Sequence, residues 1–444
     1  MAPLSATQLS DLASKLQSLL ASTPYACTLL SQLTGGTTSF VFLGTLCQPV
    51  LDQGKREDHV ILKYAAPFAS CHTEFLVEAT RAVCTFPRRS PQQSIYFLSN
   101  TLDFTPQTFE ACMLHALETF TPPPHPTQPG LTIKTPKSYW YDEAEKLQVI
   151  QHIPSTAPLS HALRTLNTHQ AYTVGHALGH WLRSFHTHTS SATSQKLNEE
   201  ISQNEEVVRL KYKLTWEQGS SALHLLSSYG LLTINEEQSA AWDAAKGRAE
   251  EEMQISDSTN VGVVHGDFWA GKYVFSSSVS LGGLLFHFSL WTWLLRASEE
   301  TSAHDASVLV PIDMLKDGLD LHVIDFEFAH SACRSTDVGQ CIGDLIERCT
   351  VSPALQPLAE ETIRGFVGGF GEMDDEMRWR TTIYVGVYVV NWWSRGPPGR
   401  KDQSDEIRGR AVELVKQGLE WVRAGWSKDA AAFLNTPLRI LFGS

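Results

Sequence analysis

The sequence lacks paired-cysteine motifs and any long apolar run, and from its N-terminal pattern we expect no secretory leader. Its eight cysteines show no CxxC pair and no framework spacing, which favours a reduced, cytoplasmic protein over a disulfide scaffold. The apolar stretch Leu281–Leu295 is shorter than the roughly 20 residues that a membrane-spanning helix needs. The N-terminus has helical leucine spacing without a basic start. We therefore expect no membrane partner.

Basic residues are also scarce relative to acidic ones. The chain has 35 Lys and Arg against 48 Asp and Glu, and its formal net charge is −13. Such a surface repels a phosphate backbone, so we expect no nucleic-acid partner. The hydrophobic content of 42% is typical of a folded globular protein. The length of 444 residues suffices for two domains or for one two-lobed enzyme.

The spacing of apolar residues predicts a β-rich first part and a helical second part. Leu29–Leu46 is typical of two strands around a glycine turn, and His59–Pro67 of a third strand. From about Ser155 onward the spacing is helical, as in Ala171–His188, with two short apolar strands between helices. We predict an α+β, two-lobed, protein-kinase-like fold. Its β-rich N-lobe spans residues 1–153 and its mainly helical C-lobe spans residues 154–444, with a hinge near Gln151–Pro154.

Two segments carry the chemistry, VVHGDFWAG at Val263–Gly271 and LHVIDFEFAHSACRSTDVG at Leu321–Gly339. In each, an apolar strand delivers acidic residues into a loop. Phosphoryl transfer from ATP needs one carboxylate to orient and deprotonate the attacking hydroxyl, and others to hold Mg²⁺ against the phosphates. Asp267 suits the first role, and Asp325 with Glu327 suits the second. Chance acidic turns are the alternative, but the order of the two motifs behind a glycine turn and a strand lysine favours catalysis.

These motifs resemble those of the aminoglycoside phosphotransferase and choline kinase superfamily, and most of all its methylthioribose-kinase-like branch, of fungal type. The similarity includes LTGGTTSFVF, VILKYAAP, TPKSYWYDEAEKLQVIQ and YVVNWWSRG, so it extends over nearly the whole chain. It implies an enzyme that uses ATP and Mg²⁺ to phosphorylate a hydroxyl group of a small-molecule acceptor. We expect a monomer or a homodimer.

The resemblance also implies a nucleotide site in the N-lobe. Lys63 would hold the α- and β-phosphates, the glycine turn would cover them, and hinge backbone groups would bind adenine. A helix glutamate should pair with Lys63; Glu110 is preferred and Glu78 is the alternative. The implied nucleotide-binding residues are Gly35, Gly36, Thr37, Lys63, Glu110, Gln151, His152 and Ile153.

Other residues of the motif regions have two possible roles. Asp337 resembles a helix-start aspartate of the superfamily, and its position suits capping or anchoring of a loop. Trp392 and Trp393 fall where relatives place acceptor-pocket residues, although core packing explains them equally well. The histidine pair His176 and His180 has metal-ligand spacing, but no third ligand accompanies it, which favours core or surface roles.

One position departs from the superfamily pattern. Relatives have an asparagine five residues after the catalytic aspartate as a Mg²⁺ ligand, and here Lys272 stands there. An ammonium group repels a metal ion, so the site as written should bind Mg²⁺ poorly.

The segment after Lys272 is also foreign to the pattern. Lys-Tyr-Val can be encoded with GTATGT, which is like a fungal intron start, and Ala-Ser with the AG of an intron end. Removing Tyr273–Ser307 would restore the asparagine, and we interpret this segment as translated intron in a mispredicted gene. The alternatives are a nucleotide-binding pseudokinase or interaction protein, in which Lys272 replaces the metal, and a kinase-fold enzyme with another transferase chemistry.

Overall fold

The computed structural model describes residues 4–33, 39–52, 54–65, 77–78, 81–82, 106–122, 131–154, 156–253, 261–270, 308–311, 320–395 and 404–443. Three predicted features lie outside these residues, namely the turn with Gly35, Gly36 and Thr37, the substituted position Lys272, and the segment Tyr273–Ser307. They stay predictions.

Short strands are spread over the first part of the chain and the region of the two motifs. In chain order they are β1 Cys27–Leu33, β2 Phe40–Asp52, β3 Lys55–Tyr64, β4 Val77–Glu78, β5 Arg81–Ala82, β6 Thr132–Lys134, β7 Ser138–Asp142, β8 Leu147–Gln151, β9 Thr156–Pro158, β10 Val261–Val264, β11 Val308–Pro311, β12 Asp320–Val323 and β13 His330–Cys333.

Most of the remaining described residues are helical. The helices are α1 Ala6–Leu20, α2 Pro106–Leu117, α3 Leu159–Ala162, α4 Thr168–Thr189, α5 Gln195–Ser202, α6 Glu205–Tyr212, α7 Gln218–Ser228, α8 Glu236–Glu252, α9 Ser335–Val351, α10 Gln356–Phe370, α11 Asp375–Arg395 and α12 Asp405–Ser427. A π-helical turn, Lys213–Glu217, joins α6 to α7. No helix in the described part of the chain is long and apolar enough to cross a bilayer.

The described residues form two compact units. The first contains residues up to Glu118 together with Thr135–Thr156, and the second contains Thr119–Lys134 and the described residues after Thr156. The first unit holds a five-stranded antiparallel sheet in the order β1-β2-β3-β8-β7. The second unit is mainly helical, so the predicted α+β class is confirmed.

One face of the five-stranded sheet is covered by the N-terminal helix α1. Ser5 and Gln8 form a capping box at the start of this helix, which satisfies backbone N–H groups that its first turn leaves unpaired. Leu16 and Leu20 of α1 are fully buried against Phe42 and Leu62 of the sheet. Burial of this apolar stripe explains why the leucine spacing at the N-terminus forms a helix.

In the second unit, short strands position both motifs. β10 leads into the loop with Asp267 and pairs antiparallel with β13. β12 leads to Asp325 and pairs in parallel with β6, as part of a four-stranded sheet in the order β6-β12-β11-β9. The ends of β10 and β12 therefore deliver the two acidic motifs.

Helices α4 and α10 pack with their backbones in close contact. A Cβ atom added at Gly175 or Gly179 would collide with the carbonyl oxygen of Thr362 or Phe366, respectively. We call this contact the glycine seam; Gly365 and Gly369 make the reciprocal approach from α10. The seam fixes α4, whose Trp181 ring stacks on Phe268 of the HGDF motif with centroids 6.0 Å apart. The packing of α4 against α10 therefore supports the loop that contains Phe268.

Candidate active site

The backbone of the HGD loop is anchored by one buried carboxylate. Asp337, at the start of α9, accepts hydrogen bonds from the backbone N–H groups of His265 at 2.9 Å and Gly266 at 3.0 Å. Its Oδ2 atom also lies 3.0 Å from His186 Nε2, on α4. Burial raises the pKa of Asp337, but the hydrogen bond and charge of His186 outweigh it, and the pKa lies below its ordinary value. Asp337 anchors the loop, which is the role predicted for it.

His265 connects the loop to the strand that precedes Asp325. Its Nε2 atom lies 3.0 Å from the carbonyl oxygen of Ile324, and its Nδ1 atom accepts from the N–H of Asp267 at 3.3 Å. A carbonyl can only accept and an N–H can only donate, so the proton of the ring resides on Nε2. Burial lowers the pKa of His265, despite the carboxylates around it, and keeps the ring neutral. The two motifs are therefore held together by one neutral imidazole.

Gly266 is required by the shape of the loop. It has a φ of +79°, in the left-handed region that glycine tolerates best. A Cβ atom at this position would also collide with the carbonyl oxygen of Phe328, in the second motif. Only glycine allows the two segments to approach this closely.

The carboxylate of Asp267 is held by side chains from three elements. Gln340 Nε2, from α9, donates to Oδ1 at 2.9 Å, and Trp269 Nε1, from the loop itself, donates to Oδ2 at 3.0 Å. Lys211 Nζ, from α6, lies 3.3 Å from Oδ1. Burial raises the pKa of Asp267, but the charge of Lys211 and these hydrogen bonds outweigh it, so the pKa is lowered. The side chain is 23% exposed, so the carboxylate is fixed and still accessible.

Asp325 and Glu327 lie in the turn after β12. Asp325 has a φ of 71° and a ψ of 61°, a left-handed conformation that is uncommon for residues other than glycine and is often found at functional sites. Glu327 lies in the following 3₁₀ turn and is buried. In the described ranges, no group of three His, Cys, Asp or Glu side chains could hold a metal ion. Two carboxylates plus phosphate oxygens and water suit Mg²⁺ nevertheless.

In the first unit, Lys63 of β3 pairs with Glu110 of α2. Lys63 Nζ lies 2.8 Å from Oε1 and 2.9 Å from Oε2 of Glu110. Of the two candidate glutamates, the structure places Glu110 against the lysine. Gln148 lies opposite Lys63 on β8, in the register of the ladder. Its buried amide has no hydrogen-bond partner for either its oxygen or its nitrogen, which marks a polar position that a ligand could satisfy.

The three predicted hinge residues follow directly along β8. Gln151 is the last residue of the strand, and its backbone N–H donates to the carbonyl oxygen of Lys137 at 2.9 Å. His152 and Ile153 come after the strand and are half-buried. The His152 ring lies edge-on to His59, and burial together with the charge of His59 lowers its pKa to about 4. The pairing of β8 with β3 ends at Gln151, so the residues after it are not part of the sheet.

The sequence did not identify several residues that support the site. Lys211 and Gln340 contact Asp267 from helices that are distant in sequence, and His186 supports Asp337 from α4. No local motif marks these contacts, because each depends on how the helices pack. Trp392 and Trp393 are buried in α11, with 4% and 6% of their surface exposed.

Comparison with known proteins supports the resemblance. No family model matches the chain. The phosphotransferase FrzJ of Cladobotryum sp. is 22% identical over 427 residues, which cover 94% of this chain and 92% of that protein. The predicted resemblance to phosphotransferases is therefore confirmed by a relative that spans nearly the whole chain.

The comparison with solved structures also found matches of low sequence identity. A choline/ethanolamine kinase family protein from Mesorhizobium loti has a TM-score of 0.41 and 13% identity, covering 94% of this chain and 99% of its own. A microcompartment-associated aminopropanol kinase has a TM-score of 0.41 and 12% identity, covering 94% and 98%.

Proposed function

We propose that this protein is an ATP-dependent phosphotransferase that moves the γ-phosphate to a hydroxyl group of a small molecule. The observation that carries the proposal is the fixed but accessible carboxylate of Asp267, at the end of a loop anchored by Asp337. The whole-length relative named a phosphotransferase supports the same reaction class.

In this reaction Asp267 would accept a hydrogen bond from the acceptor hydroxyl and take up its proton as the phosphoryl group arrives. Gln340 and Trp269 hold the carboxylate in one orientation, so little reorganisation is needed in the transition state. The lowered pKa keeps Asp267 ionised at neutral pH. Its main contribution is then to orient the nucleophile rather than to act as a strong base.

The resemblance to kinases suggests which residues would contact the nucleotide. Lys63, fixed by Glu110, is a suitable clamp for the α- and β-phosphates, and the unpaired amide of Gln148 offers a further polar contact. Gln151, His152 and Ile153 would bind adenine through their backbone, and Gly35, Gly36 and Thr37 would cover the phosphates. Asp325 and Glu327 would hold Mg²⁺, which neutralises phosphate charge when bound.

A nucleotide-binding pseudokinase is the second candidate. Lys272 favours it, because an ammonium group stands where relatives have a metal-ligating asparagine. The spacing of the eight cysteines is not that of a disulfide framework, in keeping with the cytoplasm as the proposed compartment.

The test compares three proteins: the chain as written, a variant without Tyr273–Ser307 that also carries Lys272→Asn, and that variant with Asp267→Asn. Each receives γ-labelled ATP, Mg²⁺ and a panel of sugars, amino alcohols, hydroxy acids and hydroxyindoles. We expect label on a small molecule with the second protein and a loss of at least about a thousandfold with the third. Absence of transfer from the second protein to any acceptor would contradict the proposal.

Binding of ATP, measured by thermal shift with and without Mg²⁺, separates the two candidates. A kinase should be stabilised more when Mg²⁺ is present. An equal shift in both conditions for the chain as written, together with a transcript that retains Tyr273–Ser307, would favour the pseudokinase. Sequencing of the transcript decides independently whether Tyr273–Ser307 is retained.

A further inference from the structure

A lysine that lies far from both motifs in the sequence reaches the candidate base. Lys211 Nζ lies 3.3 Å from Asp267 Oδ1, and the two side chains are 16% and 23% exposed. The same ammonium group lies 5.2 Å from the centre of the Phe328 ring, in the second motif. Lys211 is therefore fixed between the two acidic motifs, at the place that an acceptor hydroxyl must approach.

The helix that carries Lys211 is distorted just after it. A π-helical turn spans Lys213–Glu217, and such turns are rare and frequent at functional sites. Two other helices contact this turn. Trp216 packs edge-on to Trp242 of α8, and Asn391 Nδ2, from α11, donates to the carbonyl oxygen of Thr215 at 2.6 Å. The position of Lys211 is thus set by packing and not by a mobile surface helix.

Lys211 changes the charge that an acceptor meets. Residues 261–270 contain no lysine or arginine, and the one histidine among them, His265, is buried and neutral. A lone carboxylate would attract an ammonium group on the acceptor, whereas a carboxylate paired with Lys211 has little net charge. An acceptor cation therefore loses the attraction of the carboxylate, and because the pair is partly buried, water screens this difference less than at an exposed position.

We propose that Lys211 is a specificity-determining residue, which selects acceptor alcohols that carry no positive charge near the hydroxyl. Neutral and anionic alcohols fit beside the Lys211–Asp267 pair, and amino alcohols are disfavoured. This inference rests on the proposed function, because it assigns the acceptor site to the surroundings of Asp267.

The test uses three probes of similar length and different charge: 3-aminopropan-1-ol, propane-1,3-diol and 3-hydroxypropanoate. Their binding to the full chain is measured by calorimetry, and their phosphorylation is measured where transfer occurs. We expect the amino alcohol to be disfavoured by about tenfold or more against the hydroxy acid. Lys211→Met and Lys211→Gln should reverse this order, and Lys211→Arg should keep it.

Arg209→Met is the matched control, since Arg209 lies on the same helix and pairs with the exposed Glu205. It should keep the wild-type order. The inference is overturned if the wild type prefers the amino alcohol, if the Lys211 variants keep the order, or if no probe binds. Failure of the proposed function is a separate result, because there the binding order holds while no label is transferred.

Discussion

Lys63 and Glu110 form a buried ion pair in which the lysine nitrogen lies within 2.9 Å of both carboxylate oxygens. The side chains are 5% and 0% exposed, so each charge depends on the other after the loss of its water. The pair joins β3 to α2. It therefore fixes the helix against the sheet as well as the direction in which the ammonium group points.

Removal of either partner should destabilise the fold. Glu110→Ala removes the carboxylate whose two oxygens contact the buried Lys63 ammonium group, and we expect the free energy of unfolding to fall by about 3–5 kcal/mol. The double variant Lys63→Met with Glu110→Leu should recover much of this lost stability, because no charge is then buried. It should not recover ATP binding, because the proposed phosphate contact of Lys63 is gone. Urea unfolding and calorimetry measure the two effects. The exposed pair Lys15–Glu145 is the control, and Glu145→Ala should cost less than about 1 kcal/mol.

Asp337→Ala should release the loop that carries Asp267. The change leaves the N–H groups of His265 and Gly266 buried without an acceptor, at a cost of about 3–5 kcal/mol. Asp337→Asn should cost less, since one acceptor oxygen remains. Hydrogen exchange should accelerate at Gly266 in both variants. Asp374→Ala, which removes an ordinary cap from Met377 at the start of α11, should cost about 1 kcal/mol and leave Gly266 protected.

Gly266→Ala should be more damaging than its size suggests. The new methyl group combines a positive φ with a collision against the carbonyl oxygen of Phe328, so we expect a loss of about 3 kcal/mol or more. Gly230→Ala is a matched control, because Gly230 has a φ of +70° and open space around its Cβ position. It should cost only about 1–2 kcal/mol. Similar unfolding free energies for both variants would contradict the packing argument.

Stability should fall in mild acid. Burial lowers the pKa of His330 from 6.5 to about 4. Below pH 6.5 His330 is protonated in the unfolded chain but stays neutral in the folded chain. Its contribution to the free energy of unfolding is therefore complete above pH 6.5 and is lost as the pH falls towards 4. The shift corresponds to roughly 3 kcal/mol. His152 and His322, with pKa values of about 4, act in the same direction.

Urea unfolding at a series of pH values between 7.5 and 4.5 measures this loss. His330→Gln should lower the slope of stability against pH, while His224→Gln, on an exposed helical position, should keep the wild-type slope. Equal slopes for all three proteins would show that His330 does not contribute.

The order of elements could be predicted because local apolar spacing determines it. The seven-residue β1, the long helix α4 and both motif strands all follow from such spacing. The places of Asp267 and Asp325 in the fold could be predicted for a similar reason, since each lies in the loop that follows its strand within three residues. The contact of Lys211 with Asp267 could not be predicted, because 56 residues separate them and a charged helix normally indicates solvent exposure.

The choice between Glu78 and Glu110 illustrates the same limit. Both glutamates are compatible with the sequence order, and only the packing of α2 against the sheet brings Glu110 to Lys63. The parallel pairing of β6 with β12 is likewise a long-range contact. β6 has only three residues, too few for a pattern of apolar residues that would indicate its partner strand. Such pairings depend on the whole chain.

The glycine seam also affects how this protein can diverge during evolution. Its positions cannot accept even an alanine without separating α4 from α10, and α4 carries the His186 that supports Asp337. Random change at the seam should therefore lower the temperature at which the protein unfolds rather than alter the range of its substrates. Lys211 lies outside the seam, so under the role proposed for it an exchange of this residue would alter the choice of acceptor and leave the packing of α4 against α10 unchanged.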